Sequence, residues 1–104
     1  MGLAFVRVAA VEDVPPGTSA CFQVEGRRVA VFHLEDGFYA IDDICSHDEA
    51  SLSAGEIMNG TVSCPRHGAK FDIATGRALT LPAVLPVDTF QVKVEDGSVF
   101  VDVS

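Results

Sequence analysis

Two cysteines and two histidines near the middle of the chain have the types and spacing to bind a metal. One residue separates Cys45 from His47, two separate Cys64 from His67, and sixteen lie between the two pairs. Each pair joins a thiolate to an imidazole, and both groups bind transition metals. The residues within a pair are too close for two independent sites, so the pattern favours four ligands at one centre.

Zinc and a two-iron cluster are the two metal centres that such a ligand set could hold. Tetrahedral zinc accepts two Cys and two His, but common zinc fingers place the cysteines in one pair and the histidines in the other. Here each pair supplies one of each, which suits a [2Fe–2S] cluster with two cysteines on one iron and two histidines on the other. A catalytic Cys64 with His67 as its base is a weaker alternative, because it has no third orienting group and leaves Cys45 and His47 without a role.

Short strands separated by turns surround these pairs, which is typical of an all-β fold. The clearest hairpin has alternating apolar residues on both sides of Asp96-Gly97. A second hairpin is predicted around Glu25-Gly26-Arg27, and Glu35-Asp36-Gly37 forms a further turn. Strands are therefore predicted at residues 5–8, 20–24, 28–34, 38–41, 90–94 and 98–103.

Residues 42–86 differ from the rest, because they are rich in Gly, Ser, Pro and Asp and have weak periodicity. A long irregular stretch inside a compact domain is usually functional. Within it we expect only a short hairpin over 55–62 and at most one helical turn within 46–53. The sequence predicts one domain over 1–104, with base strands in 1–41 and 87–104 and a metal-binding region over 42–86.

Composition and charge limit the possible partners. The chain has 15 acidic residues against 7 Lys and Arg, a formal net charge of −8, and 48% hydrophobic residues. Nucleic acid and anionic membranes would repel it, whereas a basic protein surface would attract it. The three cysteines argue against a disulfide framework, and the apolar N-terminus lacks the basic region of a signal peptide. With no apolar run long enough to span a membrane, the reducing cytoplasm is the predicted location.

The sequence resembles the Rieske-type [2Fe–2S] ferredoxins, in particular the small ferredoxin components of bacterial aromatic-ring dioxygenases. The resemblance covers nearly the whole chain and implies an all-β Rieske-like fold, an antiparallel β-sandwich or barrel base with a small inserted subdomain of two cluster-binding loops. It also implies one [2Fe–2S] cluster per chain, and a loop containing Pro82 that covers it. Cys45 and Cys64 would bind one iron, and His47 and His67 the other through ring nitrogens. Beyond these ligands the resemblance rests on residues 38–43, 50–53, 68–72, 75–76 and 81–83.

By this resemblance the protein is a soluble one-electron carrier and not an enzyme. It would take electrons from a flavin-containing, NAD(P)H-dependent reductase and pass them to a terminal Rieske non-haem iron oxygenase in aromatic hydrocarbon catabolism. The chain has no second set of two His and a carboxylate for a mononuclear iron, so it is not the oxygenase itself. A carrier that must visit two partners is best served as a monomer. The alternatives are the small Rieske-type subunit of an assimilatory nitrite reductase and, less favoured, a structural zinc-binding interaction module.

Some residues outside the ligand set also carry expectations. High-potential relatives place a Ser and a Tyr hydroxyl near the cluster sulfurs, whereas Ala69 and Phe71 stand at the matching positions. We therefore expect a reduction potential near the low end of the Rieske range, about −150 mV. Cys21 is predicted to be a buried structural thiol and His33 an ordinary strand residue. Gly68 is expected to permit a tight turn close to the cluster, where a Cβ would clash.

Overall fold

The computed structural model describes residues 5–44, 51–65, 68–80 and 85–103, and nearly all of its regular structure is β-strand. All six strands expected from the sequence are present, each end within two residues of its predicted position. Two short 3-10 helices, Val11–Asp13 and Leu52–Ala54, lie between strands. The strands are β1 Val6–Ala10, β2 Ser19–Val24, β3 Arg27–Leu34, β4 Gly37–Asp42, β5 Glu56–Met58, β6 Thr61–Ser63, β7 Lys70–Asp72, β8 Thr89–Glu95 and β9 Ser98–Asp102.

The larger sheet has six antiparallel strands in the order β1-β9-β8-β4-β3-β2. The first and last strands in this order approach each other, so the sheet curls into a nearly closed barrel. Tight turns set its hairpins: Asp96 and Gly97 both have positive φ, which matches the right-handed twist of the flanking strands. The predicted fold class, an antiparallel all-β base with a smaller insertion, is confirmed.

The smaller sheet has the order β5-β6-β7 and lies within the segment between β4 and β8. Its first two strands are the predicted hairpin, turning at Asn59 and Gly60 with φ of 52° and 77°. The third strand, β7, was not expected from the sequence, because three residues are too few to show an alternating pattern. The division of the chain at residues 42 and 86 remains a prediction.

Two apolar cores lie on opposite faces of β3. Val29, Ala30, Val31 and Phe32 are all fully buried, so this strand forms a wall between the cores. That explains why its sequence is a continuous apolar run rather than an alternating one. One core fills the barrel and the other lies between the barrel and the small sheet. The barrel core contains Val24, Val29, Val31, Ala40, Val99 and Val101, and the second contains Ala30, Phe32, Ile41, Leu52, Val62, Cys64, Ala69, Phe71, Ile73 and Val87.

Within the described residues, none of the helices has the length and apolar character needed to cross a membrane.

Candidate metal centre

Cys64 is the one predicted ligand among the described residues. Cys45, His47 and His67 lie outside them, as does Pro82 of the expected covering loop. The structure therefore does not test the four-ligand set, which remains a prediction. It does show how the segments that carry these residues begin and end.

The second ligand segment is a tight loop between β6 and β7. The Cys64 amide donates to the Ala69 carbonyl at 2.7 Å, and the Gly68 amide donates to the Cys64 carbonyl at 2.9 Å. Gly68 has a φ of +74°, in the left-handed region that glycine adopts without strain, so the expected tight turn is confirmed. The expected clash is not, because a Cβ there would meet no described atom within 4 Å. The two hydrogen bonds join the described residues on the two sides of the second ligand segment, so its base is closed.

The first ligand segment is also closed at its base. Ile44 and Ser51 form an antiparallel bridge, and the Leu52 amide donates to the Asp43 carbonyl at 2.9 Å. Asp43 has no solvent exposure, although it carries a carboxylate. Residues 44 and 51 are thus held side by side, and Cys45 and His47 belong to the short segment that must connect them.

The buried carboxylate of Asp43 is stabilised by donors from three sides. Its Oδ2 accepts from Ser51 Oγ at 2.6 Å, its Oδ1 accepts from the Ser53 amide at 2.6 Å, and Arg28 Nη2 lies 3.4 Å from Oδ2. Burial by itself would raise the pKa of Asp43, but hydrogen bonds from Cys21, Ser51 and Ser53 outweigh it and lower the pKa. Sequence reasoning missed the role of this residue, because its hydrogen bonds form only in the folded loop.

The bases of the two ligand loops share one apolar core. Leu52, at the end of the first loop, is fully buried, and so is Ala69 at the end of the second. Both belong to the core that contains Cys64, whose side chain is 1% exposed. Close packing of this core fixes the two bases relative to each other.

The ends of the expected covering segment are attached to the same part of the molecule. On its N-terminal side, the Lys70 amide donates to Thr80 Oγ1 at 2.9 Å, and the Leu79 amide donates to the Lys70 carbonyl at 2.8 Å. On its C-terminal side, the Val87 amide donates to the Gly76 carbonyl at 2.8 Å. The described residues on both sides of 81–84 are therefore bonded to the strand and turn that follow the second ligand loop.

The described residues fit a cluster site. Cys64 is buried at the base of a closed loop and forms no disulfide among the described residues. A buried thiol of this kind fits a soft metal ligand, because the thiolate is stabilised by the iron rather than by water. Two thiolates and two imidazoles are the donor set of a Rieske-type [2Fe–2S] cluster.

Two residues outside the ligand set can be compared with expectation. Cys21 is exposed, so the prediction of a buried thiol was wrong. Strand β2 is at the end of the sheet order, and its alternation buries Val24 while turning Cys21 and Gln23 outward. His33 is a strand residue as expected: it lies in β3, its Nδ1 is 2.7 Å from the Val14 carbonyl oxygen, and its ring stacks on Phe38.

Comparison with known proteins agrees with this architecture. The family model described as the Rieske [2Fe-2S] domain matches residues 4–91. A 3-phenylpropionate/cinnamic acid dioxygenase ferredoxin subunit from Photorhabdus laumondii is 43% identical, over 93% of this chain and 92% of that protein. The ferredoxin of carbazole 1,9a-dioxygenase from Nocardioides aromaticivorans superposes with a TM-score of 0.91 and 38% identity, covering 95% of this chain and 97% of that one.

Two further solved structures bear on the choice of partner. A complex of reduced oxygenase and oxidised ferredoxin in carbazole 1,9a-dioxygenase matches with a TM-score of 0.88 and 35% identity, covering 97% of this chain and 94% of that chain. A structure described as a small subunit of an NADPH nitrite reductase matches with a TM-score of 0.81 and 28% identity, covering 95% of this chain and 98% of that chain.

A small antiparallel barrel that carries two closed loops on a three-stranded insertion defines a Rieske-type electron-transfer domain. The chain belongs to the Rieske [2Fe–2S] domain family. Its cofactor is accordingly a Rieske-type [2Fe–2S] cluster, and the relatives described above from dioxygenase systems are named as ferredoxin components.

Proposed function

We propose that this protein is the one-electron carrier of an aromatic-ring dioxygenase system, accepting electrons from an NAD(P)H-dependent flavoprotein reductase and delivering them to a terminal oxygenase. The observation that carries the proposal is the match to a ferredoxin in complex with its oxygenase, which extends over nearly the full length of both chains. A reduced flavin holds two electrons, so two molecules of a one-electron carrier, or two visits of one, would relay them.

The ligands in this proposal are Cys45 and Cys64 on one iron and His47 and His67 on the other. When bound, the cluster supplies a site for one electron, and its neutral imidazoles make that electron less costly than four thiolates would. The chain's own part is to close the two ligand loops at their bases and to keep Cys64 away from water. We also propose a cytoplasmic monomer, in keeping with the odd cysteine count and the need to meet two partners in turn.

The proposal is tested first on the purified protein. We expect two irons and two inorganic sulfides per chain and a rhombic electron paramagnetic resonance signal on reduction. His67→Ala should abolish that signal. Cys21→Ser replaces a cysteine outside the ligand set and keeps a donor to Asp43, so the signal should remain. A colourless protein that contains zinc and gives no electron paramagnetic resonance signal would instead support the structural zinc module.

Partner choice is tested by reconstitution. We expect substrate-dependent NADH oxidation when this protein is mixed with a reductase and a terminal dioxygenase, and none when it is omitted. The second candidate, a nitrite reductase small subunit, is favoured by the structural match to such a subunit. Tight association with a nitrite reductase large subunit, without transfer to any oxygenase, would select that alternative.

A further inference from the structure

Asp43 lies at the base of the first ligand loop and contacts the chain on both sides of that loop. The backbone of Asp43 precedes the loop, and its amide donates to the Arg28 carbonyl at 3.0 Å, which attaches it to strand β3. Its side chain reaches the residues that follow the loop, with 2.6 Å bonds from Ser51 Oγ and from the Ser53 amide. One residue therefore connects the start of the loop, its end and the barrel wall.

Burying a carboxylate is costly unless donors compensate it. Asp43 is completely shielded from solvent. Two short hydrogen bonds, a further hydrogen bond from Cys21 and the more distant Arg28 guanidinium, which is itself 39% exposed, compensate its charge. A polar residue such as Ser at position 43 could not reach across the loop in the same way. Cys21 of β2 and Arg28 of β3 contact the carboxylate from the barrel side, whereas the two short bonds come from residues that follow the loop.

We propose that Asp43 is a positioning residue of the cluster site, whose buried carboxylate joins the two ends of the 44–51 loop and so holds Cys45 and His47 in place for the cluster. The inference rests on the proposed ligand set, because it acts through Cys45 and His47. Residues that orient metal ligands without touching the metal commonly change metal affinity by about ten-fold or more when they are replaced.

The test compares three single variants of the full-length, cluster-loaded protein. Asp43→Asn keeps the shape but removes the charge that both short hydrogen bonds use. Ser51→Ala removes only the hydroxyl on the far side of the loop. Asp42→Asn is the matched control, because it removes the same charge one residue away. The Asp42 carboxylate is half-buried and interacts electrostatically with Arg27.

The readouts are iron release to a chelator below the melting temperature, the g-values of the reduced cluster, and the reduction potential. We expect Asp43→Asn to release iron about ten-fold faster than wild type, and Ser51→Ala to do so by a smaller factor. Both should shift the g-values, whereas Asp42→Asn should change only the potential, by its charge. A double variant of Asp43→Asn and Ser51→Ala should be no worse than Asp43→Asn alone, since the two groups act through one contact.

The outcomes separate this inference from the proposed function. A wild-type protein without iron or sulfide would overturn the proposed function and this inference with it. A loaded wild type in which Asp43→Asn matches Asp42→Asn in iron release and g-values would overturn the positioning role alone. A lower melting temperature with unchanged cluster properties would likewise show that Asp43 serves only the fold. If Asp43→Asn does not fold, Ser51→Ala decides the question by the same readouts.

Discussion

Cys21 provides a residue-scale test of the ligand set. It is the exposed thiol among the described residues, whereas Cys64 is buried. Partial burial and the hydrogen bond to Asp43 raise the pKa of Cys21, so little thiolate is present at neutral pH. We therefore expect slow alkylation of one cysteine per chain in the cluster-loaded protein, measured by mass spectrometry.

The unfolded, iron-free protein and the Cys21→Ser variant serve as controls for this experiment. After unfolding and removal of iron, all three cysteines should react. Cys21→Ser should leave none to react in the loaded protein. Alkylation of Cys64 in the native, loaded protein would contradict its assignment as a ligand.

Tyr39 offers a second residue-scale prediction, because it is the single tyrosine in a chain without tryptophan. Its hydroxyl donates to Asp36 Oδ2 at 3.0 Å, and this bond is the main cause of a raised pKa at Tyr39. We expect tyrosinate absorbance to appear above the ordinary pKa of about 10. Because the pKa of Tyr39 is higher in the folded protein than in the unfolded chain, the bond to Asp36 stabilises the fold fully at pH values below the unfolded pKa. That stabilisation is lost as the pH rises through the folded pKa.

Replacing Asp36, which accepts the hydrogen bond, should reverse the pKa shift of Tyr39. Asp36→Asn should move the tyrosinate transition back toward the ordinary value. Asp72→Asn, which removes only a weaker and more distant charge, should move it less. Equal shifts in the two variants would mean that general charge, not the hydrogen bond, sets this pKa.

At the scale of elements, Gly55 controls the approach of the small sheet's first two strands. Its φ of −83° suits any residue, but a Cβ there would collide with the Ser63 carbonyl, which immediately precedes Cys64. We expect Gly55→Ala to destabilise the protein by about 1–3 kcal/mol, since overpacking forces backbone shifts. Thermal unfolding would show this as a melting temperature lower by several degrees.

Gly60 supplies the comparison for Gly55. A Cβ at Gly60 meets no neighbouring atom, and its φ of +77° is one that asparagine tolerates. Gly60→Asn should therefore cost less than Gly55→Ala. The reverse order would show that turn conformation, rather than strand approach, limits the stability of the small sheet.

The sequence predicted the elements whose signal is local. The hairpin at Asp96-Gly97 combines a turn that needs positive φ with alternating apolar residues, and both signals lie within a few positions. Strand β7 was missed because it is three residues long and is defined by pairing with β6. The expectation for Cys21 failed although the alternation with Val24 was visible, because thiol burial was assumed from residue type.

The sequence predicts the ligands of the candidate site, but it did not predict the residue that supports them. Cysteine and histidine spacing is a sequence property, so the metal pattern could be recognised directly. The bonds from Asp43 to Ser51 and Ser53 form only when the 44–51 loop closes. No periodicity or spacing rule encodes that closure, and the supporting residue therefore emerged only from the structure.

For the whole molecule, the reduction potential combines local and global terms. Ala69 and Phe71 are fully buried and have no hydroxyl to donate to a cluster sulfur. A net charge of −8 also disfavours an added electron, weakly because solvent screens it. Protein-film voltammetry should give a potential near the low end of the Rieske range, about −150 mV.

A variant that adds a hydroxyl near the cluster separates the effect of local hydrogen bonds on the reduction potential from the effect of net charge. Ala69→Ser should raise the potential, because a donor near the cluster stabilises the extra electron. Ala74→Ser adds the same hydroxyl at an exposed position and should leave the potential unchanged. A clearly positive potential in the wild type would contradict the expectation altogether.

The same acidic surface should govern how fast the protein meets its partners. With 15 acidic and 7 basic residues, a basic patch on a reductase or oxygenase would attract it over a range set by ionic strength. Raising salt from about 0.05 to 0.5 M shortens the screening length from more than 10 Å to a few ångströms. We therefore expect reduction by the reductase, followed by stopped-flow absorbance, to slow several-fold under second-order conditions. Reduction by an uncharged small mediator should hardly change over the same range, because it gains nothing from the field. A reductase rate that is flat or rises with salt would mean that contact between apolar surfaces, not charge, brings the two proteins together.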